Sequence, residues 1–165
     1  MARSSTVTVQ SPERQLAAFL AKYTPEIVAQ TNAVLAKLRA RLRGAVEMVY
    51  DNYNALVIAF GAEDRPREAI LSVAVYPGHL TLVFLWGRGL FDPDNLLRGT
   101  GSQVRHLRLA GPETVDSPSV QALITEAIAR SARPFDDTKP NRMVIRAVAE
   151  KQRPRRSAPQ PRKGK

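Results

Sequence analysis

A chain of 165 residues is the size of one ordinary domain, long enough to bury roughly two thirds of its unfolded surface around a single core. It has no cysteine, so disulfides and thiolate metal sites are excluded and stability must come from packing. The formal net charge of +10 is unevenly placed: residues 139–165 hold ten basic side chains against one acid, Glu150, while the preceding residues hold 15 basic and 14 acidic ones. That distribution describes a nearly neutral body with a basic extension, and argues against a uniformly basic nucleic-acid-binding fold.

Residues 1–10 are polar, lack the apolar stretch of a secretion signal and are expected to be flexible. The longest apolar run, at 80–86, is too short to cross a bilayer. A cytoplasmic location without membrane association is therefore expected. Ser11-Pro12 then offers an N-cap with proline at the first helical position, and Leu16, Phe19, Leu20 and Tyr23 follow at helical spacing. Thr24-Pro25-Glu26 opens a longer helix with Ile27, Thr31, Val34, Leu35, Leu38 and Leu42 along one side, ended by Gly44.

Strand patterns follow at 46–50 and 55–60, joined as a hairpin by the polar turn Asp51-Asn52-Tyr53-Asn54. A charged loop at 63–68 leads to a third strand at 69–76, and Pro77-Gly78 turns the chain into a fourth at 80–86, so the economical reading is a β-meander. Both alternating sets of the fourth strand are apolar, which predicts a central strand covered by helices. Asp92-Pro93 suits one short helical turn, and Gly99-Thr100-Gly101 releases a strand at 104–109. Ser117-Pro118 caps a helix that buries Val120, Leu123, Ile124, Ala127 and Ile128, and residues 143–149 read as a last strand, with a short helix as the alternative. Beyond these, proline and arginine dominate. The resulting organisation is a single α+β domain over 11–150, its sheet antiparallel, with a basic, disordered tail over 151–165.

Three segments could carry chemistry. Gly99-Thr100-Gly101-Ser102-Gln103 followed by Arg105 and Arg108 has the composition of an anion cradle, with backbone amides and the Thr100 and Ser102 hydroxyls around an anion and guanidinium supplying charge. The loop lacks the lysine of a phosphate loop and leads into a strand, so its plainer reading is a glycine turn that sets the register of that strand. His106 has no cysteine or helically spaced histidine beside it, and reads as a hydrogen-bonded strand residue before a metal ligand or, with Arg105, a catalytic group. Tyr50, Asp51, Asn52 and Tyr53 combine aromatic and polar groups at one hairpin, suited to a small planar ligand or simply to a tight turn. Trp86 reads as a core residue ending a buried strand, or as one wall of a pocket. In the tail, Arg153, Arg155, Arg156, Arg162, Lys163 and Lys165 would give weak, salt-sensitive contact with nucleic acid by counterion release.

The stretch at 47–58, Glu-Met-Val-Tyr-Asp-Asn-Tyr-Asn-Ala-Leu-Val-Ile, and that at 97–109, Leu-Arg-Gly-Thr-Gly-Ser-Gln-Val-Arg-His-Leu-Arg-Leu, resemble the YdhG-like family. The resemblance covers roughly residues 12–133, and Val144-Ile145-Arg146 with Lys151-Gln152-Arg153-Pro154-Arg155-Arg156 resemble an extension in one branch. It implies an antiparallel sheet with helices packed mainly on one face. Some relatives are described as frataxin-like iron chaperones, which makes intracellular iron delivery one implied function. Iron capture of that type needs clustered oxygen ligands. Here the first two helices hold only Glu13 and Glu26 as acids, Lys37, Arg39, Arg41 and Arg43 make the second helix positive, and Glu47 and Asp51 are the best candidate pair, at the same strand parity. The expectation is thus a non-enzymatic binding or adaptor module for a small anionic ligand or a protein partner, with no cofactor; iron delivery and nucleic-acid contact through the tail are the alternatives.

Overall fold

The computed structural model describes residues 9–156. Helix α1 (Pro12–Leu20) begins where the Ser11 side chain accepts a hydrogen bond from the Arg14 amide, and α2 (Pro25–Arg41) where Thr24 accepts from Ile27. Each cap satisfies an amide that the first helical turn leaves without a partner, and each is followed by a proline that needs none. Gly44 takes φ +82° between α2 and the sheet, and a Cβ there would run into the carbonyl of Asp136. Only glycine combines that dihedral with so close an approach.

The sheet is built from β1 (Val46–Asp51), β2 (Leu56–Gly61), β3 (Leu71–Val75), β4 (Leu80–Phe84), β5 (Arg105–Leu109) and β6 (Arg142–Val148), with α3 (Glu113–Asp116) and α4 (Pro118–Ala129) between β5 and β6. Its spatial order is β5-β4-β3-β2-β1-β6. The meander from β1 to β5 is antiparallel throughout, as the sequence predicts. The last strand corrects the expectation of an all-antiparallel sheet: β6 lies parallel to β1, with a register shift between Val49 and Tyr50. The long return through α4 makes this possible, because parallel neighbours need a crossover and cannot be joined by a tight turn.

Strand alternation sorts the sheet into two faces. One face carries three rows of side chains: Glu47, Phe60, Leu71, Phe84 and Arg105; Val49, Ile58, Val73, Leu82 and Leu107; and Asp51, Leu56, Val75, Leu80 and Leu109. The apolar members pack in one cluster with Leu16 and Leu20 of α1, Ile27, Val34, Leu35 and Leu38 of α2, and Val120, Leu123, Ile124 and Ala127 of α4. Each fully buried side chain of this kind is worth about 1.5–3 kcal/mol. The smaller cluster on the second face, Val46, Met48, Ala59 and Ala69, includes no residue of α1–α4.

Two further expectations are corrected. Strand β4 ends at Phe84 and lies next to the sheet edge, with helices over one face only, so Trp86 falls outside it and is 48% exposed. The segment after Asp92 forms no helix; its carboxylate accepts from the Leu96 and Leu97 amides at 2.9 and 2.8 Å and closes a turn instead. This is the competition for local backbone donors that makes aspartate a turn former as readily as a helix cap.

Candidate functional site

The residues singled out in the sequence do not form one site. Tyr50 to Tyr53 lie at the end of β1, while Thr100, Ser102, Arg105, His106 and Arg108 lie on or before β5, with β2, β3 and β4 between them. The loop before β5 is tied by its carbonyls: Arg105 Nη1 donates to the Gly101 and Val104 oxygens at 2.6 and 2.7 Å, Arg88 Nη1 to the Ser102 oxygen at 3.4 Å, and the Arg88 amide to the Gln103 oxygen at 2.9 Å. A guanidinium fixed by carbonyls is already neutralising the negative ends of peptide dipoles. The anion-cradle reading of this loop is corrected accordingly, and the glycine-turn reading describes it, with Gly99 at φ +122°. His106 is exposed and exchanges backbone hydrogen bonds with Arg98 at 2.8 and 2.9 Å, the strand role expected of it.

Asp51 points toward the helices and is fully buried. Lys22 Nζ donates to its Oδ2 at 2.8 Å, Arg155 Nη2 to its Oδ1 at 3.0 Å, and Gln152 Nε2 to its backbone oxygen at 3.2 Å. Burial alone would push the Asp51 carboxyl up; the hydrogen bonds of Lys22, Gln152 and Arg155 and the charge of Lys22 outweigh it and hold the group below the usual carboxylate value. The Arg155 side chain is only 2% exposed, hydrogen-bonds the Tyr53 and Asn52 carbonyls, and stands 5.8 Å from the centre of the Tyr23 ring. Tyr23 in turn donates to the Val75 oxygen at 2.8 Å and accepts from the Leu56 amide at 3.2 Å.

These contacts correct the reading of residues 151–165 as a disordered tail, in its first part. Residues 149–156 form a strap across the β1–β2 turn and the α1–α2 junction: the Ala149 and Arg153 amides donate to the Asp51 and Tyr53 oxygens, and Arg156 reaches the Ala21 and Lys22 oxygens. The composition suggested solvation, but a buried carboxylate on the body supplies the counter-charge that composition does not show. Of the candidate nucleic-acid contacts, Arg155 is thus committed to the interior, Arg153 stands over the Tyr53 ring at 5.6 Å, and Arg162, Lys163 and Lys165 lie outside the described residues.

The candidate metal pair is separated in the same way. Glu47 and Asp51 do share the helix-covered face, but Glu47 is 3% exposed and gripped by Arg39, whose Nε and Nη2 donate to it at 2.8–3.1 Å. Each carboxylate has its own cation, and among the described residues no group of three or more His, Cys, Asp or Glu side chains is placed to hold a metal ion. A cleft beside Glu47, lined by Leu16, Leu20, Arg39 and Arg142 among others, is shallow and mixed in charge.

The second face of the sheet is a different surface. Two rows cross it, Met48, Ala59, Ser72, Val83 and His106, and Tyr50, Val57, Ala74, Thr81 and Arg108. Neither contains a carboxylate, and the middle is built of small or β-branched residues. At its far end the Tyr76 and His79 rings lie stacked, centres 4.8 Å apart and planes within 16°. Burial and, after it, the charge of Arg108 hold the His79 imidazole below its ordinary value, so it is uncharged at neutral pH. Arg108 has no side-chain partner among the described residues. Tyr76 and His79 were not singled out in the sequence, because each reads there only as a turn neighbour; the signal that could have found them is the alternation Ser72, Ala74, Tyr76 against Leu71, Val73, Val75.

No family model, curated protein or solved structure matches the chain. No helix among the described residues is long and apolar enough to cross a membrane.

Proposed function

We propose that this chain is a YdhG-like binding module that captures an anionic partner on the face of its sheet against which no helix packs. The carrying observation is a face without helices and, from β1 to β5, without a carboxylate in its two central rows. Two cationic borders flank it. On one side Arg108 lies on this face, while Arg98 and Arg105 spend guanidinium donors on the carbonyls of their own loop. On the other, β6 and the strap contribute Arg142, Arg146, Lys151 and Arg153 beside Glu150, with Arg155 and Arg156 held against the helical side. Arg146 is paired with Asp64 and Arg155 with Asp51, whereas Arg108 and Lys151 are free among the described side chains. The remaining acids nearby are Glu63, Asp64 and Glu68 of the 63–68 loop, which borders the same face and pairs them with Arg65, Arg133 and Arg146, while Glu113, Asp116 and Glu126 lie on α3 and α4. A guanidinium such as that of Arg108, free of an acid on a face whose central rows hold no carboxylate, gives a local positive potential that attracts a polyanion. The YdhG-like affiliation rests on the two stretches quoted above, which fall on the β1–β2 hairpin and on the loop leading through β5.

Retention on a heparin column tests the reading. The full chain and a chain ending at Arg156 are both expected to elute well above the salt needed for a neutral protein. Arg108→Ala should lower the binding constant and reduce the salt slope by about one counterion. Unchanged retention of Arg108→Ala, combined with loss on removing residues 157–165, would place the association in the tail and refute the face.

A further inference from the structure

We infer that the partner of this face is a single-stranded nucleic acid, whose bases stack on Tyr76 and its neighbours while its phosphates meet the cationic borders. The inference rests on the anionic-partner reading and names its class. Three observations lead to it. The first is the kind of aromatic groups present: Tyr76 is half-buried and already stacked on a neutral His79, Tyr53 is 51% exposed beneath the Arg153 guanidinium, and Tyr50 stands half-buried in the central row. A simple anion such as phosphate or sulfate has no use for ring faces, but a base has a π-face of its own, and stacking accepts any sequence.

The second observation is the floor between the rings. Ala59, Ser72, Ala74 and Thr81 occupy the middle of the sheet, 5–9% exposed between the half-buried Val57 and Val83, so no long or charged side chain rises there between the rings. The third is scale. Neighbouring strands lie about 4.8 Å apart, so the five steps from β5 to β6 span about 24 Å, enough for several nucleotides and comparable to the four or more that a single-strand-binding sheet occupies. The phosphates of such a strand would reach Arg108 at one border and Arg153 and Lys151 at the other.

A duplex fits this surface poorly. Its bases are already stacked on one another, and neither a helix nor a two-stranded ribbon projects from this face to enter a groove.

Fluorescence anisotropy on the full chain and on the chain ending at Arg156 separates the possibilities, using a labelled 12-nucleotide single strand as DNA and as RNA, the same sequence as a duplex, and inorganic polyphosphate of matched charge as competitor. The single strand should bind at least tenfold more tightly than the duplex or polyphosphate. Tyr76→Ala should weaken it about tenfold and leave polyphosphate competition unaltered, which also reports that the variant is folded; Tyr76→Phe, which keeps the ring, should restore binding. If polyphosphate competes as well as the single strand and Tyr76→Ala changes neither, base stacking is refuted while the anionic reading survives. If the duplex binds as tightly as the single strand, base stacking is again refuted. If no anion binds either chain, both readings fall.

Discussion

Replacing Asp51 by asparagine is expected to destabilise the protein by about 3–5 kcal/mol, the cost of leaving one member of a buried ion pair without its partner. Asp51 and the Arg155 side chain are 0% and 2% exposed, so neither can recover its hydration once the other is neutralised. Lys22 is 43% exposed and turns to water, so its share of the loss is small. Urea unfolding of the two proteins at pH 7 measures the difference, and a change below about 1 kcal/mol would show that the pair is not closed. The same group sets a pH dependence. The Asp51 pKa is lowered on folding, so its contribution is fully present above the unfolded value near 4, and is lost as pH falls through the folded value. Thermal melts of the native chain should therefore fall steeply below about pH 4, and those of Asp51→Asn less so.

Deleting residues 154–165 should lower stability by about 3 kcal/mol, because Arg155 leaves with them and Asp51 keeps only Lys22. For a domain of this size that corresponds to a fall in Tm of about 6–12 °C. Ending the chain at Arg156 retains the strap and every contact it makes to Ala21, Lys22, Asp51, Asn52 and Tyr53, so the Tm should stay with that of the full chain. Calorimetry of the three lengths tells the cases apart. Equal melting of all three would mean that the strap rests on the body without supporting it. Asp51→Asn combined with the deletion should cost much less than the two losses added, since both remove the same interaction.

Local periodicity was enough to find most elements. Alternation in residues 46–60 and 69–84 and the Ser-Pro and Thr-Pro caps gave helices and strands close to their observed bounds, because those signals depend on neighbours a few residues away. What escaped depends on distant partners. The parallel seat of β6 beside β1 follows from the crossover and leaves no mark in either strand. Arg155 reaches Asp51 across 104 positions, and Arg39 holds Glu47 on the next element. A carboxylate in a strand and an arginine in a proline-rich tail each look solvated when read alone, and only the fold brings them together. The candidate ligand residues were drawn from two turns that the sheet keeps apart, whereas the middle of the face without helices holds small, buried residues such as Ala59, Ala74 and Ser72, which announce nothing individually.

The proposed surface can be located residue by residue in solution. Adding a 12-nucleotide single strand to isotope-labelled protein ending at Arg156 should shift the backbone amide signals of Ala74, Tyr76, Thr81, His106 and Arg108, and leave those of α1, α2 and α4 in place. Shifts gathered on the helical side, or none at saturating oligonucleotide, would contradict a binding role for the open sheet.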